Sequence, residues 1–156
     1  QEVRTTLDGR LIVELAHGGL RFFVRMVTYL PGEVLAEVAQ GAEVMAAVGD
    51  AVGRVTRSLL PFQHPAIHHD FDWDLKNFDR IFQEHSPKIA TAERRELALQ
   101  HLATLDAVRP QLPKLRQSAV HNDPNDYNLV AQQEAGSWKV FVLDFGDMVA
   151  SYTVAD

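Results

Sequence analysis

The chain has 156 residues, 46% of them hydrophobic, and a formal net charge of −6. That length supports one domain with a real core, and an acidic balance without a basic stripe excludes nucleic acid as the expected partner. Zero cysteines exclude disulfides, zinc ribbons and thiol catalysis and suit a reducing cytoplasm, while no apolar run nears the ~18 residues that a membrane span needs.

Residues 2–30 read as a small antiparallel meander. Residues 2–6 are β-compatible, Leu7-Asp8-Gly9-Arg10 carries the Asp-Gly signal of a tight hairpin, and 11–15 form the next strand. His17-Gly18-Gly19 turns the chain into one long apolar strand, 20–30, which Pro31-Gly32 ends. From 33 to 60 the period changes: Val34, Leu35, Val38, Ala42, Met45 and Val48 open a stripe at threes and fours that predicts a helix closed by Pro61. Residues 61–77 read as irregular and then helical through His85. Thr91 is the expected N-cap of a helix that runs to Val108 and stops before Pro110 and Pro113. The pattern then returns to β at 117–120, followed by a polar loop at 121–128. Strands at 129–133 and 138–143 flank a turn. This order predicts an α+β fold, not alternating βαβ units. A strand pattern begins at once without a start methionine, and a new element opens at Tyr152, so the sequence is expected to be a piece of a longer protein.

The chemistry concentrates in residues 121–147. His121-Asn122-Asp123-Pro124-Asn125-Asp126-Tyr127-Asn128 precedes a hairpin, and Asp144-Phe145-Gly146-Asp147 follows it. Antiparallel pairing of blunt register would set Asn128 and Asp144 side by side, with Cα atoms about 5 Å apart. An amide oxygen and a carboxylate together suit Mg²⁺, and a further carboxylate outside the metal shell can take the proton of an attacking hydroxyl. Kinases place these groups as H-x-D-x-x-x-x-N followed by D-F-G, which His121, Asp123, Asn128 and Asp144-Phe145-Gly146 match. Taken singly, Asp123, Asn128 and Asp144 also suit plain turns. Both motifs in order arise by chance on the order of once in ten thousand sequences, which favours the functional reading. His121 reads as loop support, and Asp147 as either metal support or turn stabiliser.

These residues resemble the aminoglycoside phosphotransferase/choline kinase superfamily, which has the protein-kinase-like fold. Arg25-Met26-Val27-Thr28-Tyr29-Leu30-Pro31-Gly32 resembles the linker between its lobes. His68-His69-Asp70-Phe71-Asp72-Trp73-Asp74-Leu75-Lys76-Asn77 and Asp144-Phe145-Gly146-Asp147-Met148 are most similar to the hydroxylysine kinase branch, which in bacteria also occurs fused to class III aminotransferases. The resemblance implies that residues 1–30 are a remnant of the nucleotide-binding lobe and hinge, and 31–156 a mainly helical C-lobe. It implies Asp123 as catalytic base, Asn128 and Asp144 as ligands of Mg²⁺, and Thr28, Tyr29 and Leu30 as the hinge facing the base of ATP or GTP. Asn122 departs from the glycine more usual between that histidine and aspartate. Lys76, Lys88, Lys114 and Lys139 all lie in the C-lobe portion, so the lysine that pairs the α- and β-phosphates is expected upstream, and this stretch alone is expected to be inactive.

The resulting expectation is phosphoryl transfer to a hydroxyl of a small, amino-bearing metabolite such as a hydroxylysine-like amino alcohol. Asp70, Asp72, Trp73 and Asp74 are candidates to hold its ammonium group by charge and cation–π contact. The alternatives are an aminoglycoside, choline or homoserine-type kinase, and a non-catalytic kinase-like module. A third is a zinc protein built on His64 and His68 at i and i+4. Neither nucleic acid nor membrane is an expected partner, and oligomeric state is not legible.

Overall fold

The computed structural model describes residues 1–156. Helices and antiparallel strands mix as the pattern predicts, giving an α+β chain. Two short strands, β1 (Val3–Arg4) and β4 (Met26–Val27), pair with each other, and β2 (Val13–His17) pairs with β3 (Leu20–Val24). This corrects the simple meander. The Asp-Gly turn forms, with Gly9 at φ +82°, Gly9 N–H donating to Thr6 O and Thr6 N–H to Arg10 O, but beyond it the strands on its two sides do not pair with each other. The expected single strand over 20–30 breaks at Arg25, because its first half bonds to β2 and its second half to β1. Gly18 and Gly19, both at positive φ, make the two-residue turn between β2 and β3.

The helix expected over 33–60 starts later. Glu33–Val34 is a strand, β5, on the edge of the sheet β5–β7–β8, where β7 is Leu129–Glu134 and β8 is Ser137–Val142. Gly32 makes that pairing possible. It sits at φ +128°, and a Cβ there would lie 2.5 Å from Ala131 O. The helix itself, α1, is Ala42–Leu59. Its apolar stripe packs Val44 and Ala51, with Leu35, onto Leu129, Ala131 and Val140. Apolar burial of this kind contributes about 1.5–3 kcal/mol for each large side chain, so α1 and the β7–β8 hairpin hold each other in place.

Two further helices follow, α2 (Phe78–His85) and α3 (Ala92–Val108). Thr91 caps α3 as expected, its side chain accepting from Arg94 N at 3.3 Å. Arg109 just beyond α3 grips Asp79 of α2 and Asp106 of α3, and these two carboxylates raise its pKa, the hydrogen bond to Asp79 most. The chain then enters β6 (Gln117–Val120), which pairs with β9 (Val149–Tyr152), a strand the sequence pattern did not reveal. The β6–β9 ribbon is buried, and it carries residues 121–128 from one strand while residues 144–148 lead into the other.

Candidate active site

The loop at 121–128 starts from a buried histidine. His121 is 1% exposed. Its Nε2 lies 2.7 Å from Leu143 O, and its Nδ1 lies 3.3 Å from Asp123 N. A carbonyl only accepts and a backbone N–H only donates, so the ring is neutral with its proton on Nε2. Phe145 meets this ring edge-on, with centroids 4.7 Å apart. His121 thus ties the loop to the segment 143–145 by both polar and aromatic contact.

Asn122 explains itself at this point. Its φ is +73°, the left-handed region where glycine is unstrained and Asn is the best-tolerated larger residue. The departure from glycine therefore preserves the loop conformation. Backbone N–H groups of His121 and Asn122 both donate to Asp156 Oδ1, at 2.9 and 3.1 Å, and Thr56 of α1 donates to Asp156 Oδ2 at 2.9 Å. Asp156 is a site residue that sequence reasoning missed. No local motif marks it, because its partners lie 35, 34 and 100 residues away.

Asp123 and Asn128 are in direct contact. Asn128 Nδ2 donates to Asp123 O and to Asp123 Oδ2, each at 2.9 Å. Asn125 Nδ2 donates to Asp123 Oδ1 at 2.8 Å. With its amide nitrogen engaged, Asn128 keeps Oδ1 unshared. The hairpin register pairs Leu129 with Val142, and Leu143 N donates to Asn128 O at 2.8 Å. Asn128 therefore sits opposite Leu143, and Asp144 follows one residue later at the same open end. The expected opposition of Asn128 and Asp144 is off by one position. Asp144 adopts φ +55°, a left-handed conformation uncommon for a residue other than glycine and frequent at functional sites. Its Oδ1 accepts from Gly146 N at 3.1 Å, which leaves Oδ2 unshared. Asp147 closes the short turn Phe145–Asp147, half-buried.

A metal ion of the kind the motif implies would need hard oxygen donors, and the residues fit that need. Asn128 Oδ1 and Asp144 Oδ2 carry no protein hydrogen bond and belong to neighbouring ends of one hairpin. No group of three or more His, Cys, Asp and Glu side chains is placed so that it could hold a metal ion. His64 Nδ1 instead accepts from Ala66 N at 3.1 Å, capping a short turn.

The other candidates divide. Asp70 and Asp72 both face Arg80, with Arg80 Nη2 2.8 Å from Asp72 Oδ1 and 3.3 Å from Asp70 Oδ2. The hydrogen bond to Asp72 is the chief reason the Arg80 pKa is raised. Asp74 is buried, caps the turn Leu75–Asn77 through Lys76 N, and accepts from the Ser151 hydroxyl of β9. That makes it a strut between this segment and the ribbon. Trp73 is 70% exposed. Asp72, Trp73, Asp74, Phe78 and Ile81 line a cavity of about 360 Å³ that Asn122 also reaches, and the Asn122 amide nitrogen is buried without a partner. In the linker, Thr28 N–H already donates to Glu2 O at 2.9 Å, Tyr29 is open to solvent, and Leu30 lines a second cavity, about 300 Å³, with Val142 and Phe145.

A model of the phosphotransferase enzyme family matches residues 7–156. The chain belongs to this family. Its members are protein-kinase-like, in agreement with the α+β architecture and the loop–hairpin–turn order described above. Among curated relatives of this family member are hydroxylysine kinases. The one from Mus musculus is 29% identical over 153 residues, covering 91% of this chain and 40% of the relative. The one from Bos taurus is 29% identical over 144 residues, 85% of this chain and 38% of the relative. The one from Danio rerio is 27% identical over 171 residues, 99% of this chain and 46% of the relative. The chain therefore spans less than half the length of the curated relatives it matches. No helix is long and apolar enough to cross a membrane.

Proposed function

We propose that residues 121–147 are the phosphoryl-transfer centre of a small-molecule kinase that moves the terminal phosphate of ATP or GTP to a hydroxyl of an amino-bearing metabolite. In this reading Asp123 orients the acceptor hydroxyl and takes its proton, and Asn128 and Asp144 hold Mg²⁺. When bound, the ion supplies charge neutralisation to the phosphates. The observation that carries the reading is the contact between Asn128 and Asp123. One planar amide turns its nitrogen to Asp123 and leaves its oxygen for a metal. Family membership and the names of the curated relatives support the same class.

A hydroxylysine-like acceptor is the finer proposal. The cavity lined by Asp72, Trp73 and Asn122 supports it, because Asn122 precedes Asp123 and the exposed Trp73 ring offers a face to a cation. Asp72 would exchange its Arg80 partner for the substrate ammonium group. Leu30, beside Phe145 and β8, supports a nucleotide at the linker, with residues 1–30 on the nucleotide-lobe side and 31–156 as C-lobe.

The test is phosphoryl transfer by the product of the intact gene, with ATP and GTP, against hydroxylysine, choline, homoserine and an aminoglycoside. Hydroxylysine is the expected acceptor. Asp123→Asn should lower kcat about 100- to 10,000-fold, the contribution of a positioned general base. Full turnover in that variant, or no phosphorylated acceptor, would refute the proposal.

A further inference from the structure

We propose that Asn125 is the positioning residue that holds the Asp123 carboxylate in its reactive plane, an inference that rests on the kinase reading above. Pro124 follows Asp123 directly. It has no N–H to compete for the Asp123 carboxylate, and it restricts Asp123 before it to extended backbone. Asn125 then folds its side chain back over the loop. Its Oδ1 accepts from Tyr127 N at 2.8 Å and from Asn128 N at 3.2 Å, while its backbone O accepts from Asn128 N at 3.0 Å. This is an Asx turn, and it fixes the direction of the amide oxygen.

A carboxamide is planar, so fixing its oxygen also fixes its nitrogen. The Asn125 Nδ2 group is thereby aimed at Asp123 Oδ1, which it reaches at 2.8 Å. Asn128 Nδ2 holds Oδ2 at 2.9 Å. One amide on each oxygen stops the carboxylate from rotating about χ2, and each oxygen retains a lone pair for an incoming hydroxyl. Asn125 is exposed and lies outside the hydrophobic core cluster, and its side chain bonds to Asp123, Tyr127 and Asn128. Its hydrogen bonds act within the loop alone, so its effect falls on geometry at Asp123 and not on global stability.

The decisive variant is Asn125→Asp in the product of the intact gene. It keeps an oxygen for Tyr127 and Asn128 N–H and replaces the donor to Asp123 by a second, repelling oxygen. The expected result is a kcat about 10- to 100-fold lower, the effect of misplacing a reacting group by about 1 Å, with KM for nucleotide and acceptor changed by less than about threefold. The melting temperature should match wild type. Asn125→Ala, which also loses the turn, should lower kcat at least as far. An active wild type with unchanged kcat in Asn125→Asp overturns the Asn125 inference and leaves the kinase reading standing. A wild type that phosphorylates no acceptor sinks both. Crystal structures supply a readout independent of turnover. Asp123 should occupy one rotamer bonded to Asn125 in wild type and rotate away in Asn125→Asp; the same rotamer in both would also overturn the inference.

Discussion

The N-terminal hairpin and the β6–β9 ribbon are both antiparallel pairs, yet they are held in opposite ways. The β2–β3 hairpin has five paired positions, and all but Val13 are exposed, Phe22, Phe23 and Leu20 included. The β6–β9 ribbon has four paired positions, and Ala119, Val120, Val149 and Ser151 are buried. Backbone hydrogen bonds give each pair its shape. Only burial and long-range polar contacts decide where a pair sits, because an exposed backbone bond is worth little net against water. The ribbon can therefore present a loop in a defined place. Within residues 1–156 the hairpin has tight local geometry and little burial.

Three changes would break or sharpen this contrast. The largest effect belongs to Gly32, where β5 joins the sheet beneath the site. Gly32→Ala forces a Cβ against Ala131 O at a positive φ and should cost about 2–4 kcal/mol from strain and overpacking together, read as a lower denaturant midpoint. Next is Asp156→Ala, which strands the His121 and Asn122 N–H groups and leaves the Thr56 hydroxyl only its bond to Val52 O. A loss of about 1–3 kcal/mol is expected for these partly buried groups left unpaired. Kinase activity should fall with it, and Asp156→Asn should recover part of both, since an amide oxygen still accepts. Unchanged stability and turnover in Asp156→Ala would show that the loop needs no such anchor.

The smallest effect lies in the N-terminal turn. The Thr6 hydroxyl, and after it Arg10, holds the Asp8 carboxyl below its usual pKa. A depressed carboxylate stabilises the turn above its unfolded pKa, and that contribution disappears as pH falls through the folded value. Thr6→Val should raise the Asp8 midpoint toward the ordinary value of about 3.9, seen by NMR titration of its carboxyl. The melting temperature should stay put, because the group is fully solvent-exposed. A fall in melting temperature would mean the hairpin region is anchored after all.

Much of the site was legible because its signals are local. The spacing of His121, Asp123 and Asn128, the turn at Asp144-Phe145-Gly146, the hairpin between them and the Thr91 cap are all written in short stretches of chain. Helix α1 was legible from its stripe but not its start, because Glu33 and Val34 obey a pairing with Ala131 and Val130 that lies about a hundred residues downstream. Asp70 and Asp72 read as open carboxylates until Arg80 was seen to face them. Asp74, one of the candidates to hold an ammonium group, accepts from Ser151, a partner 77 residues away that no local signal marks.

Periodicity, turn chemistry and motif spacing thus determined the α+β class and the phosphotransferase pattern, and singled out Asp123, Asn128 and Asp144 as candidates. The tertiary structure decided the rest: which strand pairs with which, that Asp156 anchors the loop, and that two asparagines grip one carboxylate. The physical reason is the range of the forces involved. Backbone propensity and side-chain alternation act within a few residues, whereas the choice of a distant partner depends on which apolar faces are buried together, a property that only the whole packed chain possesses.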